Sequence, residues 1–76
     1  MPDNRRTKPA LLAEFGRRVR AKREAAGFSQ EELGARAGLH RTYIGGVERG
    51  ERNISLLAVE QIARALRCSM SNLMPD

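Results

Sequence analysis

The apolar residues of the chain recur at helical spacing. From Pro9, a residue suited to the first turn of a helix, a helical pattern runs to Ala26. Its apolar residues lie on one face of the helix at spacings of three, four and seven residues: Leu12, Phe15, Val19 and Ala26. The next residue, Gly27, is of the type that ends helices. The pattern therefore predicts a first helix over 9–26.

Two short helices follow, separated by a tight glycine turn. Ser29 and Glu32 have the spacing of a capping box, in which each side chain accepts a hydrogen bond from the main-chain N–H of the other residue. The second helix is predicted over 30–37. It stops at Gly38, which can adopt the positive φ that such a turn needs. The third helix is predicted over 41–49.

The last third of the chain predicts two more helices. Ser55 is suited to cap a fourth helix over 56–67, whose apolar stripe consists of Leu56, Val59, Ile62, Ala63 and Leu66. Ser69 is suited to cap a last short helix over 70–74. No alternating β-branched run and no Asn-Gly hairpin turn occurs in the sequence. We therefore expect an all-α fold, a compact domain of five short helices.

The composition excludes several kinds of protein. The single cysteine, Cys68, cannot form an intrachain disulfide, and with the single histidine, His40, it falls short of the four ligands of a structural zinc site. No apolar run approaches the roughly 18 residues of a membrane span, and the N-terminus lacks the apolar segment of a signal peptide. We expect a cytoplasmic protein without metal or cofactor. Its helical domain should span 9–76, after a disordered basic arm over 1–8.

The charge of the chain indicates an anionic partner. Fourteen Lys and Arg residues against nine Asp and Glu residues give a net charge of +5. Residues 1–38 carry nine basic and five acidic side chains, so most of the excess lies in the first half. A strongly basic small domain is typical of proteins that bind nucleic acid.

The second and third predicted helices have the arrangement of a helix-turn-helix, in which the second helix of the pair enters the major groove of DNA. Gly34 lies where the two helices should cross, and a larger side chain would hold them apart. Ile44 and Val47 should point inward, facing Leu33 and Leu39. A generic helical bundle would not need glycines at both the crossing and the turn.

The run GFSQEELGARAGLHRTYIGGVERGERNISLLAVEQIARAL resembles the Cro/phage-repressor helix-turn-helix family, also called the xenobiotic-response-element family. The resemblance covers about Phe15 to Met74. Within the family, the segment RTYIGGVERGERNIS is most similar to controller proteins of restriction–modification systems. The resemblance implies a homodimeric transcriptional regulator that binds two-fold related half-sites in double-stranded DNA.

The first turn of the third helix is the part that reaches base edges. By resemblance, Arg41 and Thr42 fall on the base-reading positions of the family. Tyr43 is expected beside them on the DNA, with its ring along the sugar–phosphate edge and its hydroxyl donating to a phosphate. Arginine can bond guanine through two donors, and a threonine methyl can pack on a thymine methyl. The alternatives are a solvated charge for Arg41 and partial core packing for Tyr43. Gly45 and Gly46 indicate either close approach of the helix to the groove or a slack helix without function.

Residues around this helix are expected to contact phosphates, which fixes register without specifying sequence. The candidates are Ser29, Gln30, Arg20, Arg52 and Asn53. Arg20 is the weakest supported of these, because a solvated face explains it at least as well, and the same holds for four further candidates: Arg5, Arg6, Lys8 and Arg17.

Two further sets of residues receive structural roles. By resemblance, Arg23 and Glu48 form an ion pair between the first helix and the end of the third. Apolar residues near the C-terminus are expected to form the dimer interface, with core packing as the alternative: Leu66, Met70, Leu73 and Met74.

Catalysis is not expected, because the sequence shows no nucleophile–base pair and no phosphate-binding glycine loop. Two other functions stay open beside the controller: the antitoxin of a toxin–antitoxin pair, and a coactivator-type module that binds protein through the same helices. Neighbouring genes would distinguish them, since a controller should accompany a methyltransferase and an endonuclease.

Overall fold

The computed structural model describes residues 7–75 of the 76. In this part of the chain no strand occurs. Four α-helices follow one another, α1 (Lys8–Ala25), α2 (Gln30–Ala37), α3 (Arg41–Glu48) and α4 (Leu56–Leu66). The all-α prediction is confirmed, and the predicted helices agree with these bounds to within one residue at each end.

The predicted fifth helix is instead a single 3₁₀ turn, Met70–Asn72. The Asn72 Oδ1 atom accepts hydrogen bonds from the Ser69 N–H (3.1 Å) and the Ser69 hydroxyl (2.8 Å), which closes the turn after three residues. Pro75 follows shortly afterwards, and its ring cannot continue a helix. Four α-helices therefore replace the five expected.

The start of α1 differs slightly from expectation. The Thr7 hydroxyl accepts a hydrogen bond from the Ala10 N–H (3.3 Å), so Thr7 caps the helix and Lys8 is its first residue. Thr7 and Lys8 therefore belong to the start of α1 and not to the arm predicted over 1–8. The rest of that prediction, including Arg5 and Arg6, lies outside the described residues.

Local sequence signals position the helix-turn-helix as predicted. The capping box is formed, because the Ser29 N–H donates to Glu32 Oε1 (3.0 Å) and the Glu32 N–H donates to Ser29 Oγ (2.9 Å). Gly38 ends α2 with a φ of +73°. At Gly34 a Cβ atom would lie 2.5 Å from the Leu39 carbonyl oxygen, so only glycine lets the turn pass this close. The nearest neighbour is the turn into α3, and the Arg41 main-chain nitrogen at the start of α3 would lie 3.2 Å away.

The core lies between all four helices. α3 packs against α1 and α2, and α2 also packs against α4. The largest fully buried side chains are Leu33, Ile44, Ile62, Leu73 and Val19. Within residues 7–75, no helix is long and apolar enough to cross a membrane. The same residues contain no group of three His, Cys, Asp or Glu side chains that could hold a metal ion.

Three apolar residues lie elsewhere than expected. Ala26 is exposed because α1 ends one residue before it, so helical spacing no longer applies. Leu56 is 74% exposed, since the buried face of α4 begins with Ala58 and Val59 in the first turn. Leu73 is fully buried, because the 3₁₀ turn directs the chain back onto the core. The alternative of core packing is therefore correct for Leu73.

Candidate nucleic-acid interface

The start of α3 is fixed by His40. The Thr42 N–H donates a hydrogen bond to His40 Nδ1 (3.0 Å), so the imidazole caps the helix. This places Arg41 and Thr42 in the first turn, and both side chains are exposed. Tyr43 is half-buried and packs against the core. The first turn of α3 therefore presents a long cation and a methyl-bearing hydroxyl to solvent.

The N-terminus of α2 presents hydrogen-bond donors. Within the described chain, the main-chain N–H groups of Gln30 and Glu31 have no hydrogen-bond acceptor, whereas that of Leu33 donates to the Ser29 carbonyl (3.0 Å). Unbonded N–H groups and the positive end of the helix dipole together favour an anion such as a phosphate. This is the end of α2 at which Ser29 and Gln30 are expected to contact DNA.

A buried network joins α1, α2 and α3. Arg23 donates to Glu48 through Nε (2.6 Å) and Nη2 (3.0 Å), and Gln30 Nε2 donates to Glu48 Oε1 (3.0 Å). The Arg23 and Glu48 side chains are only 11% and 3% exposed. The hydrogen bonds to the Glu48 carboxylate raise the pKa of Arg23 above its ordinary value. The predicted ion pair is confirmed, and Gln30 is held by it at the edge of the interface.

Gly45 and Gly46 are covered by side chains from other parts of the chain. A Cβ atom at Gly45 would lie 3.1 Å from Arg49 Nη1, and one at Gly46 would lie 2.9 Å from Arg52 Cγ. The Arg52 guanidinium also lies 5.6 Å from the centre of the Tyr43 ring. The two glycines therefore make room for arginine side chains lying on α3, an explanation that the sequence did not suggest.

The remaining predicted contacts are less closely tied to α3. Arg20 pairs with Glu24 (3.1 Å) along α1. Arg17 pairs with Glu14 on the same helix. Asn53 is exposed, and its side chain forms no hydrogen bond to any residue of the described chain. Of the five proposed phosphate contacts, Gln30, Arg52 and Asn53 lie next to α3 in sequence or contact. Ser29 caps α2, and Arg20 bonds only within α1.

Sequence reasoning missed Glu31. Its Oε2 atom accepts a hydrogen bond from Arg41 Nη1 (2.7 Å), although ten residues separate the two. Both side chains are well exposed, at 71% and 64%. An acidic residue in the first turn of a helix is already explained by the helix dipole, so the sequence held no signal for this second contact.

Comparison with known proteins identifies the family. A helix-turn-helix family model matches residues 19–73, most of the chain. The control protein C.SmaI of Serratia marcescens is 47% identical over 64 residues, which are 84% of this chain and 73% of that protein. The control protein C.BamHI of Bacillus amyloliquefaciens is 44% identical over 61 residues, 79% of this chain and 75% of that protein. The chain belongs to the helix-turn-helix family.

A solved structure extends the comparison to three dimensions. The restriction–modification controller protein C.AhdI from Aeromonas hydrophila is 48% identical, with a TM-score of 0.82 over 83% of this chain and 96% of that one. Both the family and the similarity to controller proteins are therefore confirmed. This helix-turn-helix protein is a DNA-binding transcriptional regulator.

Proposed function

We propose that this helix-turn-helix protein is the homodimeric controller of a restriction–modification system, which binds two-fold related operators at its own promoter. The exposed first turn of α3 beside the donor-rich N-terminus of α2 carries the proposal. Arg41 and Thr42 reach outward from a helix whose far end is fixed by the buried Glu48. A rigid scaffold that presents a few polar side chains is the arrangement that base readout in the major groove requires.

Within this function, α3 reads the bases. Arg41 bonds a guanine through two N–H donors, and the Thr42 methyl packs on a thymine. The Tyr43 ring supports the Arg52 side chain, because the Arg52 guanidinium lies over that ring. The α2 N-terminus, through Ser29 and Gln30, contacts phosphate.

The loop after α3 adds phosphate contacts. Arg52 reaches across Gly46, and Asn53 offers an exposed amide. Arg20 is a more distant phosphate contact, for which it must exchange Glu24 for a phosphate. Such contacts set the position of the protein on the duplex and leave sequence choice to α3.

The homodimer forms through an apolar patch, which we define as Leu56, Leu57, Met70 and Met74. Leu56, Leu57 and Met74 are 74%, 68% and 45% exposed, the most exposed large apolar side chains of the described residues. Leu56 and Met74 border an apolar groove with Leu11, Leu12 and Ile54, and Leu56 and Leu57 border a second hollow with Met70.

Of the four residues expected at the interface, Met70 and Met74 belong to the patch. Leu66 is partly buried against the core, and Leu73 offers no surface.

Dimerisation explains how a short helix can specify an operator. One recognition helix reads only a few base pairs, whereas two copies read half-sites about 34–36 Å apart, one turn of the duplex. The protein acts in the cytoplasm. DNA binding and dimerisation require neither a cofactor nor a catalytic group.

The test is a selection from duplexes with a randomised central segment of about 25 base pairs. The proposal expects enrichment of one sequence with two-fold symmetry, and expects that sequence to occur upstream of the gene. Affinity should fall about 10³–10⁵-fold between 50 and 200 mM salt if the dimer neutralises about 6–10 phosphates. No enrichment together with weak salt dependence would contradict the proposal and favour a protein-binding module or an antitoxin.

A further inference from the structure

Glu31 is an exposed carboxylate on the proposed DNA-binding face, in contact with Arg41. It lies in the first turn of α2, where the helix is expected to meet a phosphate. A carboxylate in this position should repel DNA, unless something else offsets its charge. The structure shows that Arg41 does so, through the 2.7 Å hydrogen bond from Nη1 to Glu31 Oε2.

The geometry of the pair leaves part of the guanidinium available. Only Nη1 of Arg41 is bonded, and within residues 7–75 the Nε and Nη2 groups have no acceptor. An arginine guanidinium presents its five N–H donors in a rigid planar fork. The Nε–Nη2 edge supplies two parallel donors, which is the pattern that guanine O6 and N7 accept. Glu31 therefore occupies the side of the fork that guanine does not need.

The pair also limits what else Arg41 can bind. An unpaired arginine at the tip of the interface would bind any phosphate, and such contacts carry no sequence information. With Glu31 on Nη1, a phosphate approaching that side meets a carboxylate of the same charge. The side chain is also ordered before binding, so less rotamer freedom is lost when it meets its base.

From these contacts we infer that Glu31 is a specificity-determining positioning residue, which holds Arg41 for guanine and excludes phosphate from it. The inference rests on the proposed role of Arg41 as the base reader. Glu31 itself contacts no base. Its contribution to stability is small, because an exposed ion pair is largely solvated.

The experiment compares two duplexes, the selected operator and the same duplex with the guanine read by Arg41 replaced in each half-site. The measured quantity is the dissociation constant for the substituted duplex divided by that for the operator, at fixed salt. Glu31→Ala should reduce this ratio by about three- to tenfold. In a protein that already carries Arg41→Ala, Glu31→Ala should not change the ratio any further.

A matched control separates positioning from charge. Glu51 is also exposed and pairs with Arg49 (3.0 Å) just after α3, so Glu51→Ala removes the same charge near the same face. This control should strengthen binding to both duplexes equally, because the lost negative charge acts on any phosphate, and it should leave the ratio unchanged.

The outcomes distinguish the role of Glu31 from the proposed DNA-binding function. If Arg41→Ala removes the discrimination and Glu31→Ala does not change it, the inference is wrong and the proposed function stands. If Glu31→Ala and Glu51→Ala lower the ratio equally, the effect is bulk charge and the inference is wrong. If the wild-type protein binds both duplexes alike, the proposed function fails and the inference fails with it.

Discussion

The Arg23 guanidinium and the Glu48 carboxylate form a two-pronged ion pair across 25 residues of sequence. Arg23 lies in the last turn of α1, and Glu48 is the last residue of α3. Arg23 also donates through Nη1 to the Phe28 carbonyl (2.8 Å), so one side chain holds both the end of α3 and the loop before α2. The pair thereby fixes one end of α3 and leaves its first turn exposed.

Removal of this carboxylate should destabilise the whole domain. Glu48→Ala would leave the mostly buried Arg23 without its partner, and breaking a buried pair costs about 3–5 kcal/mol. The free energy of unfolding in urea is the measurement. Glu60→Ala is the control, because Glu60 pairs with the 80%-exposed Arg64 and its loss should cost less than about 1 kcal/mol. Equal losses for the two variants would show that burial of the pair has no energetic role.

Stability and DNA binding should change in opposite directions at Gly46. Alanine is a better helix former than glycine by about 1 kcal/mol, so Gly46→Ala should raise the free energy of unfolding by up to that amount. The added methyl group would displace the Arg52 stem, which lies 2.9 Å from the Cβ position. Binding to the operator should weaken by about 0.5–1.5 kcal/mol, as a long side chain loses its ordered position.

The matched control for Gly46→Ala is Arg52→Ala. In a protein without the Arg52 side chain, the glycine substitution should stabilise the fold as before and should change the operator affinity no further. Calorimetric melting and an anisotropy titration give the two quantities. If Gly46→Ala weakened binding equally with and without Arg52, contact between the helix backbone and the groove would be the better explanation.

Charge placed in the apolar patch should separate the protomers. Leu57 is 68% exposed, so Leu57→Lys adds a charge without opening the core. Sedimentation should shift from dimer toward monomer and operator affinity should fall, while helical circular dichroism stays the same. Ala21→Lys adds the same charge on an exposed position of α1 and should leave the dimer intact. A Leu57→Lys protein that remained dimeric at micromolar concentration would place the interface elsewhere.

The sequence predicted best those features that depend on neighbouring residues. The capping box of Ser29 and Glu32 and the left-handed turn at Gly38 involve residues at most a few positions apart. Apolar spacing likewise identified Phe15 and Val19 as core. Each of these features acts within one helix or one turn, so it can be recognised before the fold is known.

Features that depend on how helices meet were not predictable in the same way. Gly16 was overlooked, yet a Cβ atom there would lie 2.6 Å from the Glu48 carbonyl oxygen, so α1 and α3 touch through their backbones. A glycine inside a helix, at a cost of about 1 kcal/mol, was the available signal. Leu56 is exposed because the buried face of α4 begins with Ala58 and Val59, and Leu73 is buried because the final turn directs it back onto the core.

At the candidate site, too, local features were predictable from the sequence and contacts between elements were not. The predicted bounds of the third helix placed Arg41 and Thr42 in its first turn, where the structure has them exposed. The contact of Glu31 with Arg41 and that of Arg52 with Gly46 arise only when α2, α3 and the following loop are assembled. No local pattern encodes either contact, so both required the structure.

The most direct test of base reading by α3 compares Arg41→Ala with Asn53→Ala. Each variant is titrated against the selected operator and against a set of single-base substitutions of it. Arg41→Ala should cost about 1–3 kcal/mol on the operator and should abolish discrimination at one base pair in each half-site. Asn53→Ala should weaken binding to all sequences about equally, because phosphates are alike along the duplex. If Arg41→Ala lost affinity uniformly while Asn53→Ala altered the base preference, the loop after α3 would be the reader and base reading by α3 would be contradicted.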